Sequence, residues 1–226
     1  RGESMIADLE ETIENRDSQI ADLESQLSET ESAAWQTASD DLTNVLLEGF
    51  EDGSSALGSW EMNGSSIEQT DSDQLFAKYE LPVEQDADEL LYTLEGSATG
   101  SGRQGYGLHL LASDVEDETL WGYGSSYLVW VTSNPDAYKT DSTFVQLYDS
   151  SSDVDMVNVA SEAVPVDIED LNELQVYTDR SNGEITVSME GEKVFSFTDA
   201  DFIDSGMGVA LRTLDTAVFE TLEVAE

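Results

Sequence analysis

Aromatic, amide and cationic side chains gather in the middle of the chain with a spacing suited to binding a sugar. Phe144, Gln146 and Tyr148 occur at every second position, which places them on one face of a strand. A sugar offers CH faces to aromatic rings and hydroxyl groups to amides, so such a face can bind one. An alternative is that the aromatic residues belong to the core. The predicted glycan-binding residues are Arg103, His109, Trp121, Tyr123, Gln146 and Tyr148.

Residues that could catalyse a reaction are few. The chain has no cysteine and a single histidine, His109, which excludes thiolate chemistry and disfavours a histidine-based metal centre or a Ser-His-Asp triad. Because His109 alternates with Leu108 and Leu110, we expect a partly exposed histidine on the opposite face of their strand. The acidic runs 114–118 and 167–170 lie in predicted loops and are interpreted as solvated. We predict no catalytic residues and no enzyme activity.

The charge of the chain restricts its partners. Fifty acidic and eight basic residues give a formal net charge of −42, which excludes electrostatic binding to nucleic acid or to an anionic membrane surface. Either a halophile-like surface adapted to salt or a very acidic secreted protein would show this balance. No apolar run reaches the ~18 residues that a membrane span needs, so we expect no membrane insertion. A leader is not visible, and we expect an extracellular or cell-surface location.

The elements that must position these residues begin with a heptad repeat between residues 5 and 34, which predicts a long N-terminal helix that forms a coiled coil. The alternative is a solvated amphipathic helix lying on its own domain. We predict two domains, a coiled-coil helix over 1–41 and a β-domain over 42–226. The residues predicted to drive homo-oligomer or filament formation are Ile6, Leu9, Ile13, Arg16, Ile20, Leu23 and Leu27.

After residue 44 the apolar period changes from 3.5 to 2, which predicts a mainly β fold. About twelve short strands, separated by loops rich in Ser, Asp, Gly and Asn, indicate an antiparallel jelly-roll β-sandwich. Asn182-Gly183 predicts a type I′ hairpin turn. Trp60, Trp130 and Phe219 are assigned to the core. The predicted strands are 44–50, 74–81, 89–96, 105–112, 125–132, 142–149, 154–160, 172–180, 184–190, 193–198, 206–212 and 217–224.

Two stretches carry a resemblance to known modules. Phe50-Glu51-Asp52-Gly53, followed by Leu57-Gly58-Ser59-Trp60, resembles the opening of extracellular jelly-roll modules, including calcium-containing carbohydrate-binding modules. The segments 172–194 and 206–224 are similar to the closing hairpins of concanavalin A-like and laminin-G-like sandwiches. The resemblance implies a structural calcium ion with Glu51 or Asp52 and Glu220 among its ligands. The Glu-x-Asp-x-x-Glu string of the concanavalin-like glucanases is absent.

These observations lead to three hypotheses about function. The first is a non-enzymatic extracellular or cell-surface structural protein, which self-associates through its N-terminal helix and displays a β-sandwich head. The alternative is a multivalent carbohydrate-binding, lectin-like module, and the third is a glycoside hydrolase or lyase. The sequon at Asn63 predicts glycosylation if the protein is secreted.

Overall fold

The computed structural model of the chain describes residues 43–83, 85–203 and 206–225, together with 13, 15, 16 and 18–20. Contacts divide the chain into two units, Arg1–Leu42 and Thr43–Glu226. In the first unit the described residues are helical, and Ile13, Arg16 and Ile20 are exposed. The remaining predicted coiled-coil residues lie outside the described residues, so the coiled coil and self-association stay predictions; they are Ile6, Leu9, Leu23 and Leu27.

The second unit is built almost wholly from strands. Its elements are β1 (Thr43–Asn44), α1 (Leu46–Asp52), β2 (Ser54–Leu57), β3 (Trp60–Asn63), β4 (Ser66–Gln69), β5 (Ala77–Leu81), β6 (Glu89–Ala98), β7 (Gln104–Ser113), β8 (Ser125–Ser133), α2 (Pro135–Tyr138), β9 (Thr143–Ser152), β10 (Asp155–Val164), β11 (Asn172–Asp179), β12 (Glu184–Met189), β13 (Glu192–Thr198), β14 (Gly208–Leu214) and β15 (Ala217–Ala225).

The strands form two antiparallel sheets. The front sheet has the order β10-β9-β8-β7-β14-β5-β2, and the back sheet has the order β13-β12-β11-β6-β15-β4-β3, with β1 paired to β15. Neighbours in each sheet come from distant parts of the sequence, as where β14 inserts between β7 and β5. The predicted mainly β sandwich is therefore confirmed.

The main core lies between the sheets. Along β7, Tyr106, Leu108 and Leu110 are almost fully buried and belong to it, which the period-2 geometry of a strand requires of residues on one face. Phe219 is fully buried and stacks on Trp60 at a centroid distance of 6.1 Å. The core assignment is correct for these two aromatic residues.

The first predicted strand, over 44–50, is wrong, because Leu46–Asp52 form the helix α1. Leu46 is fully buried, and Leu47 and Phe50 pack against the same core. This i, i+1, i+4 spacing suits one face of a helix. Packing decides the outcome, since seven residues are too few to form a stable helix alone.

Turn chemistry is also corrected by the structure. Gly183 has φ of 65°, but Asn182 is not left-handed, and the loop spans four residues between the paired Asp179 and Glu184. The backbone N–H of Asn182 donates to the Asp179 carboxylate at 3.1 Å. Two consecutive positive φ angles, which a type I′ turn requires, occur instead at Glu190 and Gly191.

Three short strands, β2 to β4, were not predicted. Each has only four residues in a stretch rich in Ser and Gly. β2 pairs with β5, β4 pairs with β15, and β3 pairs with β4. Strands of this kind depend on long-range pairing more than on local preference.

Candidate functional site

The outer face of the front sheet carries a row of cross-strand neighbours that form a site. Arg212 pairs with Lys78 of β5 on one side and with Gly107 of β7 on the other. Gly107 in turn pairs with Trp130 of β8, and Trp130 pairs with Gln146 of β9. Residues directly opposite each other on adjacent strands project from the same face. Register alone therefore brings a cation, an indole and an amide together.

Two glycines provide the floor on which Trp130 lies. A Cβ at Gly105 would overlap Cζ2 of Trp130, and a Cβ at Gly107 would lie 3.1 Å from Cε3 of the same ring. The indole therefore rests on bare backbone, where any side chain would lift it. Trp130 packs with Leu128 and Leu214 in a cluster separate from the main core. Trp130 is buried, as its assignment to the core predicts, but its cluster lies on the outer face of the front sheet and not in the main core.

A cavity of about 290 Å³ opens above this floor. Rings, amide groups and two guanidinium groups form its walls. We call it the aromatic cavity; its lining residues are Leu75, Phe76, Arg103, Trp121, Leu128, Trp130, Thr132, Asn134, Tyr138, Gln146, Tyr148, Arg212 and Leu214.

Arg212 forms the buried end of the aromatic cavity and is only 2% exposed. Its Nη1 donates to the carbonyl of Trp121 at 2.6 Å and to Nε2 of His109 at 3.1 Å. Its guanidinium carbon lies 4.9 Å from the ring centroid of Trp121, with Phe76 and Trp130 at 5.5 and 5.7 Å. Burial lowers the pKa of Arg212 to about 9, so the group remains a cation at neutral pH.

His109 positions Arg212 and does not reach the cavity. An arginine can only donate, so Nε2 of His109 accepts the bond from Arg212. The proton of the neutral ring is then on Nδ1, which donates to Oγ of Ser126 at 3.0 Å. Burial, together with the charges of Arg212 and Lys78, lowers the pKa of His109 well below its usual value. The expectation of a partly exposed histidine is wrong, since its exposure is 0%.

Trp121 is presented by the loop over residues 114–124, which we call the Trp121 loop. Nζ of Lys78 donates to the carbonyls of Glu118 and Leu120 at 2.9 and 2.7 Å, and Arg212 holds the carbonyl of Trp121 itself. The Trp121 side chain is 37% exposed and meets Phe76 and Tyr148 edge-on. Bonds from two strands of the sheet therefore fix the position of the ring.

Asp153, in the turn between β9 and β10, caps the same loop. One carboxylate oxygen accepts from the backbone N–H groups of Glu116 and Asp117, both at 2.9 Å, and the other accepts from Gly124 at 2.6 Å. Burial alone would raise the pKa of Asp153, but these bonds and the charge of Lys78 outweigh it and lower the pKa.

We expect Asp153→Asn to lower the free energy of unfolding by about 1–3 kcal/mol, because an amide has only one oxygen and leaves a buried N–H without an acceptor. Urea denaturation and hydrogen exchange of the Trp121 loop measure the effect. The exposed Asp155 provides the control Asp155→Asn. The difference in unfolding free energy between wild type and Asp153→Asn should narrow below pH 3.8. There Asp153 takes up a proton in the unfolded chain, and wild type loses the stability that the lowered folded-state pKa provides. Equal stability and equal amide protection at pH 7 would contradict the capping role.

Polar groups on the far wall are pre-arranged by hydrogen bonds to one another. Nε2 of Gln146 donates to the hydroxyl of Tyr138 at 3.0 Å and to Oγ of Ser161 at 3.2 Å, and its Oε1 accepts from Tyr148 at 3.0 Å. Such bonds hold side chains in one orientation before any ligand arrives.

Of the six residues predicted to bind a glycan, four line the aromatic cavity: Arg103, Trp121, Gln146 and Tyr148. His109 and Tyr123 lie beneath it, almost wholly buried and 5.1 Å apart between ring centroids. Sequence reasoning missed Arg212 and Trp130. The signal for Arg212 was a lone cation in the apolar run 208–212, and the signal for Trp130 was the alternation of Gly105 and Gly107.

The residues predicted for calcium and for glycosylation lie elsewhere. Glu51, Asp52 and Glu220 are exposed, and the described residues hold no group of three or more potential metal ligands. No cluster of potential metal ligands among the described residues therefore supports a calcium site at these three residues. Asn63 is exposed before the turn residue Gly64 and donates to Glu68 at 2.8 Å; its glycosylation stays a prediction.

No protein family and no curated protein matches the sequence. Solved structures match the fold. The carbohydrate-binding module CBM66 from Bacillus subtilis is 15% identical, with a TM-score of 0.61 over 77% of this chain and 95% of its own. The metal-free carbohydrate-recognition domain of Emp46p is 13% identical, with a TM-score of 0.63 over 81% and 94%. The Ca²⁺/Man-bound exoplasmic/lumenal domain of VIP36 is 10% identical, with a TM-score of 0.56 over 76% and 82%.

These likenesses establish the fold. The second unit shares its jelly-roll sandwich with carbohydrate-binding domains of three differently named proteins, one of which was also solved in a potassium-bound form. Among the described helices, none is long and apolar enough to span a membrane.

Proposed function

We propose that the β-sandwich is a non-enzymatic, lectin-like module that binds a glycan in the aromatic cavity. The observation that carries the proposal is the composition of the cavity, where Trp121, Trp130 and Tyr148 surround the amide of Gln146. Aromatic rings pack against the CH faces of a sugar and amides bond its hydroxyl groups. The carbohydrate-binding domains that share this fold agree with this chemistry.

The pre-arranged walls favour binding. The Trp121 loop is held by Lys78, Arg212 and Asp153, so little side-chain freedom remains to be lost when a ligand binds. Glycoside hydrolysis in the usual manner needs two carboxyl groups beside the scissile bond. No carboxylate occurs among the described residues that line the cavity, which supports binding without turnover.

The other hypotheses depend on features of the chain outside the aromatic cavity. A structural or filament-forming protein depends on residues 1–41, so multivalent binding through a coiled coil stays a proposal. A calcium ion would be compatible with the potassium- and Ca²⁺-bound forms of the neighbours, but the cavity needs none for the contacts described above. An extracellular location agrees with a glycan ligand and likewise remains proposed.

A glycan array followed by calorimetry on the full chain tests the proposal. We expect Trp121→Ala to weaken binding by about tenfold or more, because truncating a central aromatic anchor costs about 2 kcal/mol. Met62→Ala is the control, since Met62 lies on β3 of the back sheet and is 42% exposed, similar to Trp121. A chain that binds no glycan, or whose affinity is unchanged by Trp121→Ala, would refute the proposal.

A further inference from the structure

The charge of the aromatic cavity is opposite to that of the chain. Fifty of the 226 residues are acidic and the net charge is −42. Among the described residues that line the cavity there is no Asp or Glu, whereas two are arginines, Arg103 and Arg212. A ligand without charge would give no reason for this exclusion of acidic side chains. The lining is therefore suited to an anion.

Arg212 is a buried cation that lacks an anionic partner. It forms no ion pair within the described part of the chain, where its hydrogen bonds are the two that Nη1 donates. The nitrogens Nε and Nη2 donate to no described residue, although the side chain is only 2% exposed. Removing a guanidinium group from water is unfavourable unless an anion compensates for it.

The three rings around Arg212 compensate only in part. Cation–π contacts contribute about 0.5–2 kcal/mol each, and burial still lowers the pKa of the group. The neighbouring Lys78 donates to three backbone carbonyls, those of Glu118 and Leu120 in the Trp121 loop and that of Phe76. Arg212 is thus the buried cation with donors left for a ligand, and the exposed Arg103 adds a second cation to the same lining.

We propose that the ligand is an acidic sugar whose carboxylate pairs with Arg212 and Arg103, while its ring packs on the aromatic walls. This rests on the proposed function and specifies its ligand class. A carboxylate is favoured over a sulfate because the planar guanidinium fork matches two coplanar oxygens. The sugar ring is needed to use Trp121, Trp130 and Tyr148, which a bare anion would leave unfilled.

The experiment compares pairs of ligands that differ only in charge. Oligogalacturonate and glucuronate-containing oligosaccharides are titrated into the full chain by calorimetry, each beside its methyl ester. A sodium chloride concentration of about 1 M reduces the Debye length to about 3 Å, so the repulsion between the −42 chain and an anionic ligand is suppressed. We expect at least one uronate to bind about tenfold or more tightly than its ester, because a hydrogen bond to a charged group is stronger than one to a neutral group.

Variants separate a binding role of the arginines from a structural one. Arg103→Gln is expected to reduce the preference for the acid severalfold without changing the unfolding midpoint, because Arg103 is exposed. Arg103→Lys should restore part of the preference. Lys193→Gln removes one positive charge from β13 in the back sheet and should leave the preference unchanged. Arg212→Lys removes the fork and puts in its place a group that loses its charge more readily on burial, so it should reduce the preference further than Arg103→Gln does.

The outcomes distinguish this inference from the proposed function. Esters or neutral sugars that bind as tightly as the acids would overturn the acidic ligand and leave glycan binding intact. Tighter binding of sulfated oligosaccharides than of uronates would overturn the carboxylate. A preference for the acid that survives Arg103→Gln and Arg212→Lys would overturn the assignment to these two residues. Binding of no saccharide, charged or neutral, would refute both proposals.

Discussion

Gly107→Ala is expected to lower the free energy of unfolding by about 3 kcal/mol and to disrupt the aromatic cavity. The new Cβ would overlap the carbonyl oxygen of Val129, a backbone atom of β8, and lie 3.1 Å from Cα of Trp130. A backbone atom cannot rotate away, so β7 and β8 must separate at the point where Gly107 pairs with Trp130. The substitution therefore acts on the fold and on the floor of the cavity together.

Urea denaturation measures the loss of stability. Intrinsic fluorescence measures the disruption of the cavity, because Trp130 must leave its position. Gly191→Asn is the matched control: Gly191 has φ of 75°, a Cβ added to it would meet no atom within 4 Å, and asparagine tolerates that conformation. Gly105→Ala should have a smaller effect, because the group nearest to its new Cβ is the ring of Trp130 and not a backbone atom. An unfolding midpoint of Gly107→Ala equal to that of the control would show that the close approach of the strands is not required.

The free energy of unfolding is expected to rise by about 1.4 kcal/mol per pH unit between about pH 7.5 and 8.5, owing to Lys78. Burial, with a further contribution from the charge of Arg212, lowers the pKa of Lys78 to about 7, against the opposing charges of Asp153, Glu118 and Asp117. In this window the unfolded chain binds a proton that the folded chain does not. Stability rises with pH wherever the unfolded state binds more protons.

Urea titrations at several pH values compare wild type with Lys78→Met, in which this slope should disappear. Lys193→Met should retain it, since Lys193 is exposed in the back sheet. The range ends at about pH 8.5 because the pKa of Arg212 is lowered to about 9, and Arg212 adds to the slope at higher pH. Above pH 10 the unfolded chain would ionise buried Tyr92 and Tyr106 while the folded chain keeps them neutral, and this contribution lowers stability. The same slope in wild type and Lys78→Met would contradict the assignment to Lys78.

The wall of the cavity formed by β9 could be predicted because it depends on one strand. Period-2 alternation places Gln146 and Tyr148 on one face and Val145 and Leu147 on the other, and the structure buries the latter two between the sheets. In a strand that alternates between polar and apolar residues, the sequence alone shows which face is buried and which is exposed. The prediction that Gln146 and Tyr148 share an outward face needed no knowledge of any partner strand.

Strand β8 shows where that reasoning ends. Leu128, Val129, Trp130 and Val131 are all buried, so alternation does not reveal which face meets the other sheet. Trp130 is buried by Gly105, Gly107 and its cluster neighbours on the outside. A strand covered on both faces reads as continuously apolar, and only the partner strands distinguish the inner face from the outer one.

By itself the sequence determined the mainly β class, the faces of its alternating strands, and a charge that disfavours nucleic acid as a partner. Only the tertiary structure decided that His109 is buried and that Arg212 faces a cavity whose described lining residues include no acidic side chain. The physical reason is that the first group of properties follows from neighbours along the chain. The second depends on register between β14, β7 and β8 and on the hydrogen bonds of Lys78 and Asp153, which join residues distant in sequence.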